Sequence, residues 1–136
     1  MQLVYPAKFA RTGPNEIVVS FRDIPECLTS GVDDRDALAE ATDALEEAIA
    51  GRIDDRESIP VPTARRADER EIAVPRRMAA KAALALALRR SGMTCNALAR
   101  SLGIQEKAAR RMLNPRHDTA VEQIRDALVV LGELEP

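Results

Sequence analysis

Residues 94–113, TCNALARSLGIQEKAARRML, restrict what this chain can fold into more than any other stretch. Leu98, Ala99 and Leu102 recur at three- to four-residue spacing, which makes one apolar helical face. Gly103 follows directly, a residue type that enters left-handed backbone without a Cβ clash. Ile104 then turns inward, and Ala109, Met112 and Leu113 form a second apolar stripe. Ala99 sits four positions before Gly103, where two crossing helices leave room only for a small side chain. Two short helices bent around a glycine are the helix-turn-helix pattern, whose second helix enters the DNA major groove. Between its apolar positions that helix offers Gln105, Glu106, Lys107, Arg110 and Arg111, residue types that reach base edges and phosphates. A plain helical hairpin with a glycine turn is the competing reading. Apolar spacing, small residue and glycine agree together, with polar groove-facing residues between them, and this favours DNA.

Thr94, Asn96, Asn114 and Arg116 flank the motif and are expected to hold the DNA backbone, Thr94 also as an N-cap. At Gln105 the chain departs from the Ser or Thr that often caps a recognition helix. His117 is the only histidine and lies in a polar loop, so its expected role is none, or a phosphate contact beside Arg116.

Charge divides the chain. Residues 1–74 carry 9 Lys/Arg against 16 Asp/Glu, a net of −7, and residues 75–136 carry 11 against 6, a net of +5. An acidic half joined to a basic half implies a cationic partner in front and an anionic one behind. Tyr5, Phe9 and Phe21 are the only aromatics, which argues against a base-stacking surface for single-stranded RNA. Cys27 and Cys95 stand far apart without a CxxC or Cys/His cluster, so reduced thiols, no zinc site and no cofactor are expected. No apolar run is long enough for a membrane span, and MQLVYPAKFA lacks the pattern of a signal peptide. A soluble cytoplasmic protein is the expectation.

The remaining chain reads as an α+β arrangement. Leu3, Tyr5, Ala7 and Phe9 alternate, as do Ile17, Val19 and Phe21, with turn chemistry at residues 12–15 between them. A shorter strand is expected over 27–32. Pro6 implies that the first strand is at an edge or bulged there. Residues 33–50 read as a helix with Asp33, Asp34 and Asp36 at its start, an apolar face of Leu38, Ala41, Leu45, Ala48 and Ile49, and Gly51 as its stop. Its outer face, with Glu40, Asp43, Glu46 and Glu47, is strongly acidic. Ile59-Pro60-Val61-Pro62 favours extended chain. Residues 71–74 suit a last short strand, and Pro75 suits the first position of the next helix, so the expected domains are 1–74 and 75–136. Residues 76–90 form an Ala/Leu-rich helix, apolar on every side from Ala82 to Leu88, which implies burial on more than one face. Thr119 and Glu122 are expected as the capping box of a final helix with Val121, Ile124, Leu128 and Leu131 inward. Val129 and Val130 lie off that stripe and fit a dimer contact, which paired half-sites on DNA would require.

Taken together, YPA-x-F, IVVSFRDIPECLTSG, DALAEATDAL and IPVP resemble the HicB antitoxins, partners of the small RNA-cleaving HicA toxins. VPRRMAAKAALALAL followed by a helix-turn-helix is similar to the subgroup with that DNA-binding tail. The resemblance covers nearly the whole chain. It implies a partial RNase H-like N-terminal domain in the order β-β-β-α-β, antitoxin function, and repression of the protein's own operon. A HicA-like toxin must bind anionic RNA, so an acidic domain suits its active surface. Asp23, Glu26, Asp43 and Glu47 are the candidate toxin contacts.

An enzyme is not expected. A nuclease needs several carboxylates converging on divalent metals, whereas Asp23, Glu26, Asp33, Asp34 and Asp36 read as turn and cap residues. Two other classes stay open: a transcription regulator whose N-terminal domain senses a ligand or dimerises, and an interaction adaptor with a degenerate helix-turn-helix.

Overall fold

The computed structural model describes residues 2–135, which form two compact units. One comprises Gln2–Gly51 with Pro60–Pro75, the other Arg52–Ile59 with the chain from Arg76 onward. The fold is α+β: a four-stranded antiparallel sheet with one helix, then four further helices.

In the first unit, β1 (Val4–Gly13), β2 (Glu16–Ser20) and β3 (Leu28–Gly31) form a meander, and β4 (Glu69–Ala73) joins the free side of β1, giving the order β3-β2-β1-β4. Alternation dictates one buried face: Tyr5, Ala7, Ile17, Val19 and Ile72 are all buried, with Tyr5 opposite Ile72 in the ladder. Pro6 is not on an edge strand, because β1 lies between β2 and β4. Its ladder to β4 covers Val4–Lys8 and its ladder to β2 covers Lys8–Gly13, so Pro6 is laddered on one side and a missing N–H is tolerated there. The register irregularity falls between Arg11 and Gly13 instead.

Helix α1 (Asp34–Asp54) has the sheet to cover, and buries Ala37, Ala41, Leu45, Ile49 and Ala50. The i, i+4 stripe starts at Ala37, which leaves Leu38 outside it and 43% exposed, contrary to the expected face. Nor does Gly51 stop the helix. It is helical, and the stripe continues to Ile53. The stop lies at Arg56, in left-handed backbone at φ 56°, where Glu57 N–H donates to Arg52 O at 2.9 Å and Arg56 N–H to Ile53 O at 3.2 Å. This pair of hydrogen bonds closes the helix end. At the other end Asp36 N–H donates to Asp33 Oδ1 (2.8 Å) and Val32 N–H to Asp36 Oδ2 (2.9 Å), a reciprocal cap. Asp34 pairs with Arg70 at 2.6 Å, and that guanidinium lies 4.5 Å from the centre of the Phe9 ring.

The extended 57–66 segment is held at several points. Tyr5 Oη donates to Pro60 O at 2.7 Å. Arg22 donates both to Glu69, at 2.9 Å through Nε and Nη2, and to Ala64 O at 2.5 Å. Glu69 also accepts from Arg66 N–H at 2.8 Å. Arg22 and then that backbone bond hold the Glu69 carboxyl at about 2, well below the usual range.

In the second unit, α2 (Arg76–Ser91) packs on α4 (Glu106–Leu113) and α5 (Val121–Val130), and α3 (Cys95–Leu102) on α4 and α5. Their core is Ala80, Leu84, Ala87, Leu88, Leu98, Met112, Ile124, Ala127 and Leu128. The expected Thr119–Glu122 capping box is absent: Ala120 is the N-cap of α5, and Thr119 is buried with its hydroxyl turned to other partners.

Two glycines of α1 and β3 make opposite predictions. A Cβ on Gly31 would lie 2.3 Å from Ala37 N, a backbone atom that cannot swing aside. Gly31→Ala should therefore destabilise by about 2 kcal/mol or more in denaturant unfolding. Gly51 is helical with nothing within 4 Å of its added Cβ. Gly51→Ala should stabilise by about 0.5–1 kcal/mol, and a loss would contradict the continuous helix. Glu69 supplies a pH test. Its carboxyl is lowered in the folded chain, so its stabilisation is full above about 4.5 and is lost as pH falls towards about 2. Glu69→Gln should remove that part of the acid slope, and an unchanged slope would contradict the assignment.

Candidate nucleic-acid interface and acidic face

Thr94, extended at φ −82° and ψ 160°, caps α3 by accepting from Ala97 N–H at 3.0 Å. α3 ends on Gly103 at φ 67°, where Ile104 N–H reaches Ala99 O at 3.0 Å. This left-handed residue sends the chain into α4. At Gln105 no side-chain bond caps α4, as the departure from Ser or Thr led one to expect.

Burial of Ala109 and Met112 fixes which side of α4 faces out. Lys107, Arg110, Arg111 and Asn114 are exposed, and their i, i+3, i+4, i+7 spacing places them on one face. Gln105 is exposed at the start of that helix, and Thr94 and Asn96 at the start of α3. Glu106 is half-buried and pairs with Arg110 at 2.5 Å. Both ends of this i, i+4 pair meet water, so exchanging it for another anion costs little. Arg116 lies in the turn after α4, where its N–H donates to Asn114 Oδ1 at 2.9 Å and its Nη2 is 3.5 Å from Asp54. His117 is half-buried with Nδ1 2.7 Å from Thr119 Oγ1, so its ring belongs to the turn.

The residue that sequence reasoning missed is Lys81. Its neighbours Ala79, Ala80 and Ala82 disguise it as a surface charge on an alanine-rich helix, yet it is 0% exposed. Nζ donates to Arg111 O at 3.0 Å, Asn114 O at 2.6 Å and Thr119 Oγ1 at 3.1 Å. An ammonium has three donors and no acceptor, so the set is complete. One turn earlier, Arg77 Nε donates to Thr119 O at 2.9 Å and Nη1 pairs with Asp118 at 2.6 Å.

The acidic candidates lie in the other unit. Asp43 and Glu47 are exposed one turn apart on α1, with Glu40 in the same stripe, and Glu26 is exposed in the β2–β3 connection. Asp23 differs, because both its oxygens accept from Thr63: Oδ2 from the N–H at 2.9 Å and Oδ1 from the hydroxyl at 2.9 Å. It therefore anchors the extended segment. Cys27 is buried, and burial with help from Glu26 pushes its thiol up to about 11, which keeps it protonated and unreactive at neutral pH. Among the described residues no helix is long and apolar enough to cross a membrane.

Burial pushes the Lys81 ammonium down to about 8, with Arg77 adding to the shift and Asp118 opposing it. The unfolded chain holds this proton up to the ordinary value of 10.5, so stability from this group rises as pH climbs from about 8 to 10.5. The stability difference between wild type and Lys81→Met should rise over that window in denaturant unfolding. A difference independent of pH would contradict the assignment.

Residues 4–83 match the family model described as a HicB-like antitoxin of bacterial toxin–antitoxin systems. The chain is 33% identical over 129 residues to Antitoxin HicB of Escherichia coli strain K12, covering 95% of this chain and 94% of that one. It is 36% identical over 129 residues to Antitoxin HicB 2 of Photorhabdus laumondii, covering 95% and 91%. With Antitoxin HicB of Pseudomonas fluorescens the identity is 33% over 120 residues, covering 88% and 82%. On the strength of a family match over more than half its length and relatives aligned nearly end to end, the chain belongs to the HicB-like antitoxin family of bacterial toxin–antitoxin systems.

Proposed function

We propose that the protein neutralises a HicA-type mRNA-cleaving toxin through residues 1–74 and represses its own operon by binding DNA through residues 75–136. The observation that carries this reading is the segregation of charge onto two exposed helical faces, Glu40, Asp43 and Glu47 on α1 and Lys107, Arg110 and Arg111 on α4. An enzyme that cleaves RNA must offer its substrate a cationic surface, and the α1 face has the opposite sign. Opposite charge speeds the encounter, and apolar contacts slow release. Leu28, Val32, Leu38 and Val61 are exposed in the same unit and supply apolar surface for such contacts. Asp43 and Glu47, with Glu26 beside them in the reading, are the candidate toxin contacts; Asp23 contributes by holding Thr63.

On the DNA side, α4 is the recognition helix, with Gln105, Lys107, Arg110 and Arg111 towards base edges or nearby phosphates. Glu106 holds Arg110 until DNA replaces it. Thr94, Asn96, Asn114 and Arg116 are assigned to the backbone. A homodimer presents two recognition helices to paired half-sites, and Val130, 40% exposed on α5, is a candidate contact in it. This reading places the protein in the cytoplasm with its operator.

The test starts from the neighbouring reading frame, expected to encode a short basic protein that arrests growth when expressed alone. Co-expression of this chain should restore growth, and no rescue would sink the toxin assignment. Reversing Asp43 and Glu47 to Lys should slow association with that protein and reduce its sensitivity to salt. Arg110→Ala should cost about 1–3 kcal/mol in operator affinity if it reads a guanine, with relaxed preference at that base. A phosphate role would instead weaken all sequences alike and reduce the salt slope by about one unit. Unchanged DNA affinity would remove Arg110 from the interface.

A further inference from the structure

α4 is a helix that cannot hold itself. It has eight residues, well short of the length at which an isolated helix is stable in water. Its first residue is uncapped by any side chain. Its C-terminal end lacks the device used by its neighbours. α3 ends on left-handed Gly103, and the turn after α5 contains left-handed Gly132, where Glu133 N–H donates back to Leu128 O at 2.9 Å. After α4 stands Asn114, extended at φ −83° and ψ 112°. Carbonyls at a helix end require partners and favour a positive charge. Asn114 N–H turns back to Arg110 O at 3.0 Å and Arg111 O at 3.2 Å, and His117 N–H reaches Asn114 O at 3.1 Å. Lys81 adds to these, from another helix, a positive charge that donates to both Arg111 O and Asn114 O. Its third bond, to Thr119 Oγ1, brings in the start of α5, and that same hydroxyl lies 3.2 Å from Arg111 O. A single buried atom thus ties α2, the end of α4 and the approach to α5.

An apolar side chain would fill the same space without the desolvation cost of a buried charge. What it would not do is fix where α4 ends relative to α2. Arg110 and Arg111 lie in the last turn of α4, beside the tied carbonyls, and Lys107 lies about one turn before them. Displacements of that end move the groove-facing side chains directly.

We propose that Lys81 is a positioning residue for DNA reading: it touches no base or phosphate, but sets the depth and angle at which α4 presents Lys107, Arg110 and Arg111. The proposal rests on the DNA-binding reading of α4. It separates two properties of binding. Nonspecific attraction to phosphates depends on net charge and tolerates a loosely held helix, whereas base discrimination requires the helix in place.

The experiment measures affinity of the full chain for the duplex upstream of its own reading frame and for a scrambled duplex of equal length. Wild type, Lys81→Met, Lys81→Arg and Thr119→Val are compared, with amide NMR dispersion reporting the fold. Lys81→Met should retain dispersion and scrambled-duplex affinity while losing about tenfold or more in discrimination, the scale of one base contact. Lys81→Arg, which keeps the charge and donors, should recover part of that loss. Thr119→Val, which removes one of the three acceptors, should lose about two- to tenfold. Folded Lys81→Met and Thr119→Val proteins that discriminate like wild type would overturn the proposal. So would a folded Lys81→Met protein that loses affinity for both duplexes equally. If Lys81→Met does not fold, Thr119→Val decides by the same criteria. A wild-type protein that fails to discriminate removes the DNA reading itself, and the proposal with it, which the wild-type arm alone reveals.

Discussion

The ammonium of Lys81, sealed among three oxygens, is the interaction on which the order of the helical unit depends. Two eight-residue helices contribute few side chains to a core, and Leu98, Ala109 and Met112 are most of what α3 and α4 bury. Such a contact fixes which face is inward but leaves a short helix free to slide. A charge with three directed donors removes that freedom. The α/β unit uses a guanidinium in a related way: Arg22 holds Glu69 and the backbone at Ala64, so that an extended segment with little regular structure follows one path. In both units a cation with several directed bonds joins segments that are distant in sequence.

Other charges lie at the surface. Carboxylates that serve the fold are accounted for locally: Asp33 and Asp36 cap α1, Asp34 pairs with Arg70, Asp23 holds Thr63, and Glu69 meets Arg22. Glu40, Asp43 and Glu47 lie instead on an exposed stripe of α1. In the helical unit Lys81 and Arg77 are engaged at the turn, while Lys107 and Arg111 project outward. The exposed carboxylates of α1 and the exposed cations of α4 give these two helical faces opposite sign, which is the physical basis for proposing different partners for the two units.

Periodicity and capping chemistry made most of the elements legible. The alternation around Tyr5 and Val19, the glycine turn at Gly103 and the Thr94 cap are local signals, and each lies where its spacing places it. Misreadings arose where a local signal met a longer-range one. Gly51 is a stop signal by itself, yet Ile53 continues a buried stripe that outweighs about 1 kcal/mol of glycine propensity. Leu38 is apolar, but the stripe is set by Ala37, because Gly31 lets β3 approach that turn. Thr119 and Glu122 have the spacing of a capping box, and the hydroxyl goes to Lys81 and Arg111 instead. Lys81 and Arg22 were illegible for a related reason: their partners lie 30 to 47 residues away, at separations that no local pattern encodes.

The central claim is that the two activities reside on separate surfaces, and the most direct measurement is a crossed assay in cells carrying both the neighbouring toxin frame and an operator reporter. The account predicts that Asp43→Lys/Glu47→Lys protein loses growth rescue while retaining repression, and that Arg110→Ala/Arg111→Ala protein does the reverse. Loss of both activities in each variant, with protein levels and folding intact, would contradict it.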